Sequence, residues 1–126
     1  MQLVGPTRTA PGQISERGTL RIEGVSKIYG EDGEALPALD PISLDIPANS
    51  FVSLLGPSGC GKSTLLKLIA GIEMPSGGSI RCQAREIRGV NTEVAYVPQG
   101  RGLFPWMTLV RNVEFPLKLA GVPASR

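Results

Sequence analysis

Apolar and polar residues alternate from Leu20 to Glu23, with Leu20 and Ile22 on one face and Arg21 and Glu23 on the other. This period of two predicts a half-buried strand over residues 19–25, extended through Ser26, Lys27 and Ile28 to Tyr29. Residues 30–34 form a polar loop, and a second strand is expected over residues 38–46. There Leu44 and Ile46 share one face and Ser43 and Asp45 the other, while Pro41 confines the first half to a sheet edge or a bulge. Short loops join these strands, so they are expected to pair antiparallel. After a turn over residues 47–50, the apolar run 51–55 (FVSLL) predicts a short buried strand that begins a parallel α/β core.

Residues 65–70 (LLKLIA) continue as an apolar helix, stopped by Gly71 at a C-cap. The PSGG string at 75–78 is a turn signal, residues 79–82 a strand, and residues 84–92 a polar connection. A second core strand is expected over residues 93–97, ending where Pro98 and Gln99 leave the sheet. Residues 100–107 form a loop rich in large apolar side chains. Thr108 then caps a helix from Leu109 to about Leu119, with Gly121 and Pro123 as stops and Pro116 expected to kink or shorten it. Residues 1–17, with glycines and prolines among polar residues, are expected to be a disordered tail.

The chain has 126 residues, enough for one small domain and short for a complete P-loop nucleotidase. With 13 basic and 11 acidic residues, the net charge of +2 is too balanced to argue by itself for nucleic acid or an anionic membrane surface, and no nucleic-acid partner is expected. Sixteen glycines and 11 prolines make it turn-rich while still globular. Arg81, Arg85 and Arg88 are interleaved with Glu86 and Glu93, which reads as a solvated face. The two cysteines, Cys60 and Cys82, lack CxxC spacing, and the chain has no histidine; a zinc site or a Cys/His pair has no support. No apolar run has the length of a membrane span, about 20 residues. Membrane association is therefore expected to go through a partner.

The chemistry is concentrated in Gly56, Pro57, Ser58, Gly59, Cys60, Gly61, Lys62, Ser63 and Thr64, which fit the phosphate-binding pattern G-x-x-x-x-G-K-[ST]. Gly56, Gly59 and Gly61 permit the positive φ angles of a turn that wraps an anion with backbone N–H groups. Lys62 supplies a mobile charge for the β- and γ-phosphates, and the Ser63 hydroxyl is a ligand for Mg²⁺. The first turn of the following helix adds unpaired N–H groups and the positive end of its dipole. A strand before the loop and a helix after it complete the required setting. These features predict an α/β fold with a P-loop nucleotidase core, a partial parallel sheet with flanking helices and N-terminal antiparallel strands, binding a nucleoside triphosphate.

The order of segments around the P-loop resembles the ATP-binding subunits of ABC transporters over residues 19 to 126. LRIEGVSKIY at 20–29 is similar to that family's opening strand, closing on an aromatic at Tyr29. LIAG at 68–71, PSGG at 75–78, VPQ at 97–99 and LFPWMT at 103–108 with Asn112 and Val113 also resemble it. The resemblance implies that Tyr29 stacks on adenine, that Thr64 bonds the α-phosphate, and that Gln99 reaches Mg²⁺ or the attacking water. Lys62 and Gln99 would then be the catalytic residues, Ser63 and Gln99 the metal ligands, and ATP and Mg²⁺ the bound species. Read without the family, Tyr29 is equally a strand-end aromatic, and Gln99 is a polar residue at a strand's carboxyl end, where α/β sheets bind ligands. Trp106 and its neighbours have two readings, a small satellite core or the surface, from Leu103 to Thr108, that receives a membrane-embedded permease.

The wording FPWMT is most similar to importers of nitrate, sulfonates and taurine. The resemblance further implies a homodimer of ATP-binding subunits, an external solute-binding protein reached indirectly, and a cytoplasmic place on the inner face of the membrane. The family's signature loop, its magnesium-binding Asp with catalytic Glu, and its switch His have no counterparts here, so the chain reads as the N-terminal portion of such a subunit. Residues 18–126 would be the partial domain, truncated before the rest of the helical subdomain. Three functions stay open: an ATP hydrolase whose remainder lies elsewhere, a module that binds nucleotide only, and a non-catalytic permease-binding protein. Other P-loop families are the alternative at the level of fold.

Overall fold

The computed structural model describes residues 2–4, 18–30, 35–100 and 102–122. Residues 5–17 of the expected tail, 31–34 of the polar loop, Arg101 and the stop at Pro123 lie outside the described residues. The chain divides into two compact units, Met1–Tyr96 and Val97–Arg126, where the sequence reads as one domain.

In the first unit, β2 (Leu20–Tyr29) and β3 (Leu36–Ile46) pair antiparallel, as their alternation predicts. The Arg21–Asp45 ion pair, 3.0 Å, lies across this register and is exposed. On the other side of β2 runs β5 (Gly77–Cys82), also antiparallel, which in turn pairs with the short β6 (Arg85–Glu86). The sheet order β3-β2-β5-β6 leaves β3 at an edge, the place where Pro41 costs no ladder bond. Strand β5 begins two residues before the expected strand, because Gly77 already pairs with Ser26. A two-residue hairpin at Gln83 and Ala84 leads into the polar connection, whose Arg85 and Glu86 form β6.

Strict alternation from Leu20 and Ile22 would turn Val25 to the solvent face, yet both Ile22 and Val25 are buried. A register shift between them resolves the conflict: Gly24 adopts φ 56 and its N–H donates to the Ser43 hydroxyl. This bulge returns Val25 to the core side. Ile22, Val25, Leu39 and Ile80 then close on Leu65 and Leu68 of helix α1 (Lys62–Ile69), with Ile42, Leu44 and Leu54 at the margin. Burial of these side chains contributes about 1.5–3 kcal/mol each.

Helix α1 ends at Ala70, and Gly71 follows with φ 66. Ile72 N–H donates to Lys67 C=O and Gly71 N–H to Leu68 C=O, each 3.0 Å, a Schellman ending. A Cβ at Gly71 would also sit 1.8 Å from the Gly89 carbonyl oxygen, so the stop signal doubles as a close backbone contact.

Two expectations for the core change. The run 51–55 forms β4 (Ser53–Leu55), which pairs antiparallel with β1 (Gln2–Val4), a strand inside the expected tail. Phe51 is 86% exposed rather than buried. Residues 93–97, expected as a second core strand, have no strand assignment, and Val97 is exposed. A strand exists only where a neighbour satisfies its backbone groups. Every strand pair among the described residues is antiparallel, so the expected parallel pairing is not present among them. The fold class is α/β with an antiparallel sheet.

The second unit is a loop and one helix, α2 (Leu109–Leu119). Thr108 caps it as expected, its side chain accepting from Arg111 N–H at 3.3 Å. Pro116 neither ends nor shortens it: the helix runs on to Leu119 and closes on Ala120 and Gly121, the latter with φ 72.

Candidate nucleotide-binding site

The P-loop lies between β4 and α1, with its residues 56–59 exposed to solvent. Gly59 and Gly61 take φ of 82° and 90°, the backbone that the pattern demands, whereas Gly56 does not share it. Gly61 is needed twice over. It is the buried N-cap of α1, and a Cβ there would meet the Ala38 carbonyl oxygen at 2.7 Å and Leu39 Cδ1 at 2.8 Å. Its carbonyl accepts from Leu65 N–H at 2.8 Å, so the loop passes directly into the helix.

Lys62 Nζ reaches back over the loop, donating to the carbonyls of Gly56 at 2.7 Å and Pro57 at 2.6 Å and lying 3.4 Å from Cys60 Sγ. Lys62 is also the first residue of α1, so its ammonium lies by the positive end of the helix dipole, where negative charge is favoured. Pro57 accepts from Cys60 N–H at 3.4 Å, which closes the turn containing Ser58. Ser63 is exposed on the first turn of α1 and Thr64 half-buried beside it.

Mg²⁺ usually keeps several waters and takes one or two protein oxygens plus substrate phosphates. An exposed Ser63 hydroxyl next to a phosphate-binding loop suits that role. Among the described residues no group of three or more acidic, Cys or His side chains could hold a metal ion alone. The donor set fits an ion that would arrive on a nucleotide, where Ser63 would hold it and the ion would neutralise phosphate charge.

Tyr29 is the last residue of β2. Its hydroxyl donates to Glu73 Oε2, and Glu73 Oε1 accepts from Lys67 Nζ at 2.9 Å. Lys27 Nζ stands 5.1 Å from the Tyr29 ring centroid and donates to the Met74 carbonyl at 2.7 Å. The bond to Glu73 raises the Tyr29 pKa above its ordinary value, with burial adding to it and the Thr64 hydroxyl opposing it. The same bond, and then Lys67, holds the Glu73 carboxyl below the usual range, while Glu73 raises Lys67. Through Glu73 and Lys67 the Tyr29 hydroxyl is linked to helix α1, the helix that follows the P-loop.

Glu73, Lys67 and Lys27 escape sequence reasoning. A glutamate two residues past a helix-ending glycine has no pattern of its own, and only the sheet brings it to Tyr29. Gln99 is exposed and belongs to the second unit. In that unit the Phe104 ring lies 5.1 Å from Trp106 at a tilt of 43° and meets Phe115 edge-on at 5.2 Å. Trp106 stays 74% exposed, so the satellite cluster and the open aromatic surface exist together.

A glycine-rich loop between strand and helix, with an aromatic at the end of β2, is the arrangement of a P-loop nucleotide-binding domain. The model of the ABC transporter family matches residues 39–125, more than half of the chain, and the chain belongs to that family. It is similar to an uncharacterized ABC transporter ATP-binding protein of Methanocaldococcus jannaschii, 40% identical over 104 residues. It is 43% identical over 109 residues to the spermidine/putrescine import ATP-binding protein PotA of Pseudomonas aeruginosa. Over 91 residues it is 46% identical to the taurine import ATP-binding protein TauB of Chromobacterium violaceum. These matches cover 82%, 84% and 72% of this chain, which spans 39%, 29% and 35% of the three relatives. Among solved structures it is similar to a dimeric ATP-binding cassette in a post-hydrolysis state bound to ADP and Pi. The TM-score is 0.72 at 28% identity, covering 85% of this chain and 49% of that one.

Proposed function

We propose that residues 18–126 are the MgATP-binding portion of the ATP-binding subunit of an ABC importer. The carrying observation is the arrangement around α1: Lys62 bonded to the loop carbonyls, Ser63 and Thr64 next to it in the first turn, and Tyr29, at the end of β2, tied to the same helix through Glu73 and Lys67. In this reading the loop N–H groups and Lys62 hold the β- and γ-phosphates, Thr64 the α-phosphate, Ser63 the Mg²⁺, and Tyr29 the adenine. Gln99 orients water or contacts the ion. Lys62 and Gln99 are the catalytic candidates of this chain, and neither an ammonium nor an amide can accept the proton of an attacking water at neutral pH.

Importers are favoured because PotA and TauB are import proteins, and the sulfonate reading draws on TauB together with the FPWMT segment. The exposed Trp106 surface would meet a permease, placing the protein on the cytoplasmic face of a membrane as a peripheral subunit and as a homodimer. Among the described residues no helix is long and apolar enough to cross a membrane.

Titration of the chain with ATP, with and without Mg²⁺, tests this reading. Binding strengthened by Mg²⁺ and weakened about tenfold or more by Lys62→Ala is expected, since bonds to a charged group contribute about 1.5–3 kcal/mol. Equal ATP affinity in the wild type and Lys62→Ala would remove the P-loop from the function.

A further inference from the structure

Residues 73–76 join the end of α1 to the end of β2 at every position from Ser26 to Tyr29. Ser76 N–H donates to Ser26 C=O at 2.9 Å, Lys27 Nζ to Met74 C=O at 2.7 Å, and Ile28 N–H to Ser76 Oγ at 3.0 Å. The Tyr29 hydroxyl completes the series by donating to Glu73. At the helix end, Glu73 accepts from Lys67 Nζ at 2.9 Å, and the backbone N–H of Ile72 bonds Lys67 C=O at 3.0 Å. Ser76 already fixes the strand backbone here. The Glu73 bond acts instead on the far end of the Tyr29 ring, beyond the strand backbone.

We propose that Glu73 is the positioning residue of the base-stacking site, gripping the Tyr29 ring by its hydroxyl and tying that grip through Lys67 to the helix that carries the P-loop. The proposal rests on the reading of Tyr29 as the adenine platform. A ring held at its hydroxyl, with the Lys27 ammonium 5.1 Å from its centroid, keeps one orientation and offers its free face to a planar base. The energetic consequence is preorganisation: a platform already oriented loses less freedom when the base arrives.

The test compares the affinity of the whole chain for ATP and for inorganic triphosphate, since their ratio isolates what base and sugar add. Glu73→Ala is expected to lower that ratio about five-fold, the size of one net hydrogen bond, while triphosphate affinity stays within about twofold. Glu73→Gln keeps a carbonyl acceptor for the hydroxyl and is expected to restore most of the ratio. In a Tyr29→Phe background, Glu73→Ala should change the ratio no further, which a merely structural role would not produce. A ratio untouched by Glu73→Ala but lowered by Tyr29→Ala overturns the positioning role and leaves the stacking reading intact. A ratio untouched by Tyr29→Ala overturns the stacking reading, and the positioning role with it. Equal loss of ATP and triphosphate affinity in Glu73→Ala also overturns the proposal, because the effect is then on the loop as a whole.

Discussion

The Asn112 side chain closes a two-way hydrogen bond with the backbone of Phe104: Oδ1 accepts from Phe104 N–H at 2.7 Å, and Nδ2 donates to Phe104 C=O at 3.2 Å. Nδ2 also reaches the carbonyls of Met107 at 3.2 Å and Thr108 at 3.0 Å. One amide on the first turn of α2 thus organises the loop that displays Trp106.

Asn112→Ala should release that loop. A stability loss of about 1–2 kcal/mol is expected for the missing bonds, at the lower end because the site is largely exposed. Trp106 is the single tryptophan of the chain, so its fluorescence reports on this loop alone. Its anisotropy should fall in the variant, and an unchanged anisotropy would show that the amide does not order the loop.

The Glu73 network gives stability a defined pH dependence. Glu73 has a lowered folded pKa, chiefly through Tyr29 and then Lys67. Its contribution is therefore fully present above the ordinary glutamate value, about 4.3, and is lost as pH falls through the lower folded value. Tyr29 and Lys67 are raised, both chiefly through Glu73, so their contribution holds below about pH 10 and is lost as pH rises beyond it. The thermal midpoint of the wild type minus that of Glu73→Gln should be positive at neutral pH and shrink toward zero in acid. A difference that stays constant with pH would mean that the carboxylate charge is irrelevant.

The β5–β6 hairpin turns on Gln83 and Ala84, with φ of 50° and 67°. Two positive φ angles in a two-residue loop suit Asn-Gly, and a β-carbon there costs about 1–2 kcal/mol per residue in the left-handed region. Gln83→Asn combined with Ala84→Gly should raise stability by about 1 kcal/mol, part of the relief being offset by glycine's greater unfolded-state entropy. Denaturant unfolding measures it, and a loss of stability would show that the turn is not strained.

The local devices were legible in the residues. Thr108 as a cap, Gly71 beyond a helix end, Pro41 at an edge and the P-loop between strand and helix each depend on a few neighbouring backbone groups. Strand β4 was legible as a strand but its partner was not, since an apolar run of this length pairs with whichever edge is free. Residues 93–97 carried the same apolar signal and form no strand. Val25 needed a bulge that alternation alone does not announce.

By itself, then, the sequence determined the glycine-rich turn between β4 and α1, the helix stop at Gly71, the cap at Thr108 and the family, because turn geometry, capping and motif spacing are set within a few residues. Tertiary structure alone decided that β1 pairs with β4, that Gly24 bulges, and that Glu73 meets Tyr29 across 44 residues of chain. Those contacts exist only after the sheet and α1 have packed on the core around Leu65 and Leu68. Register and burial, which no short stretch of chain encodes, then choose the partners.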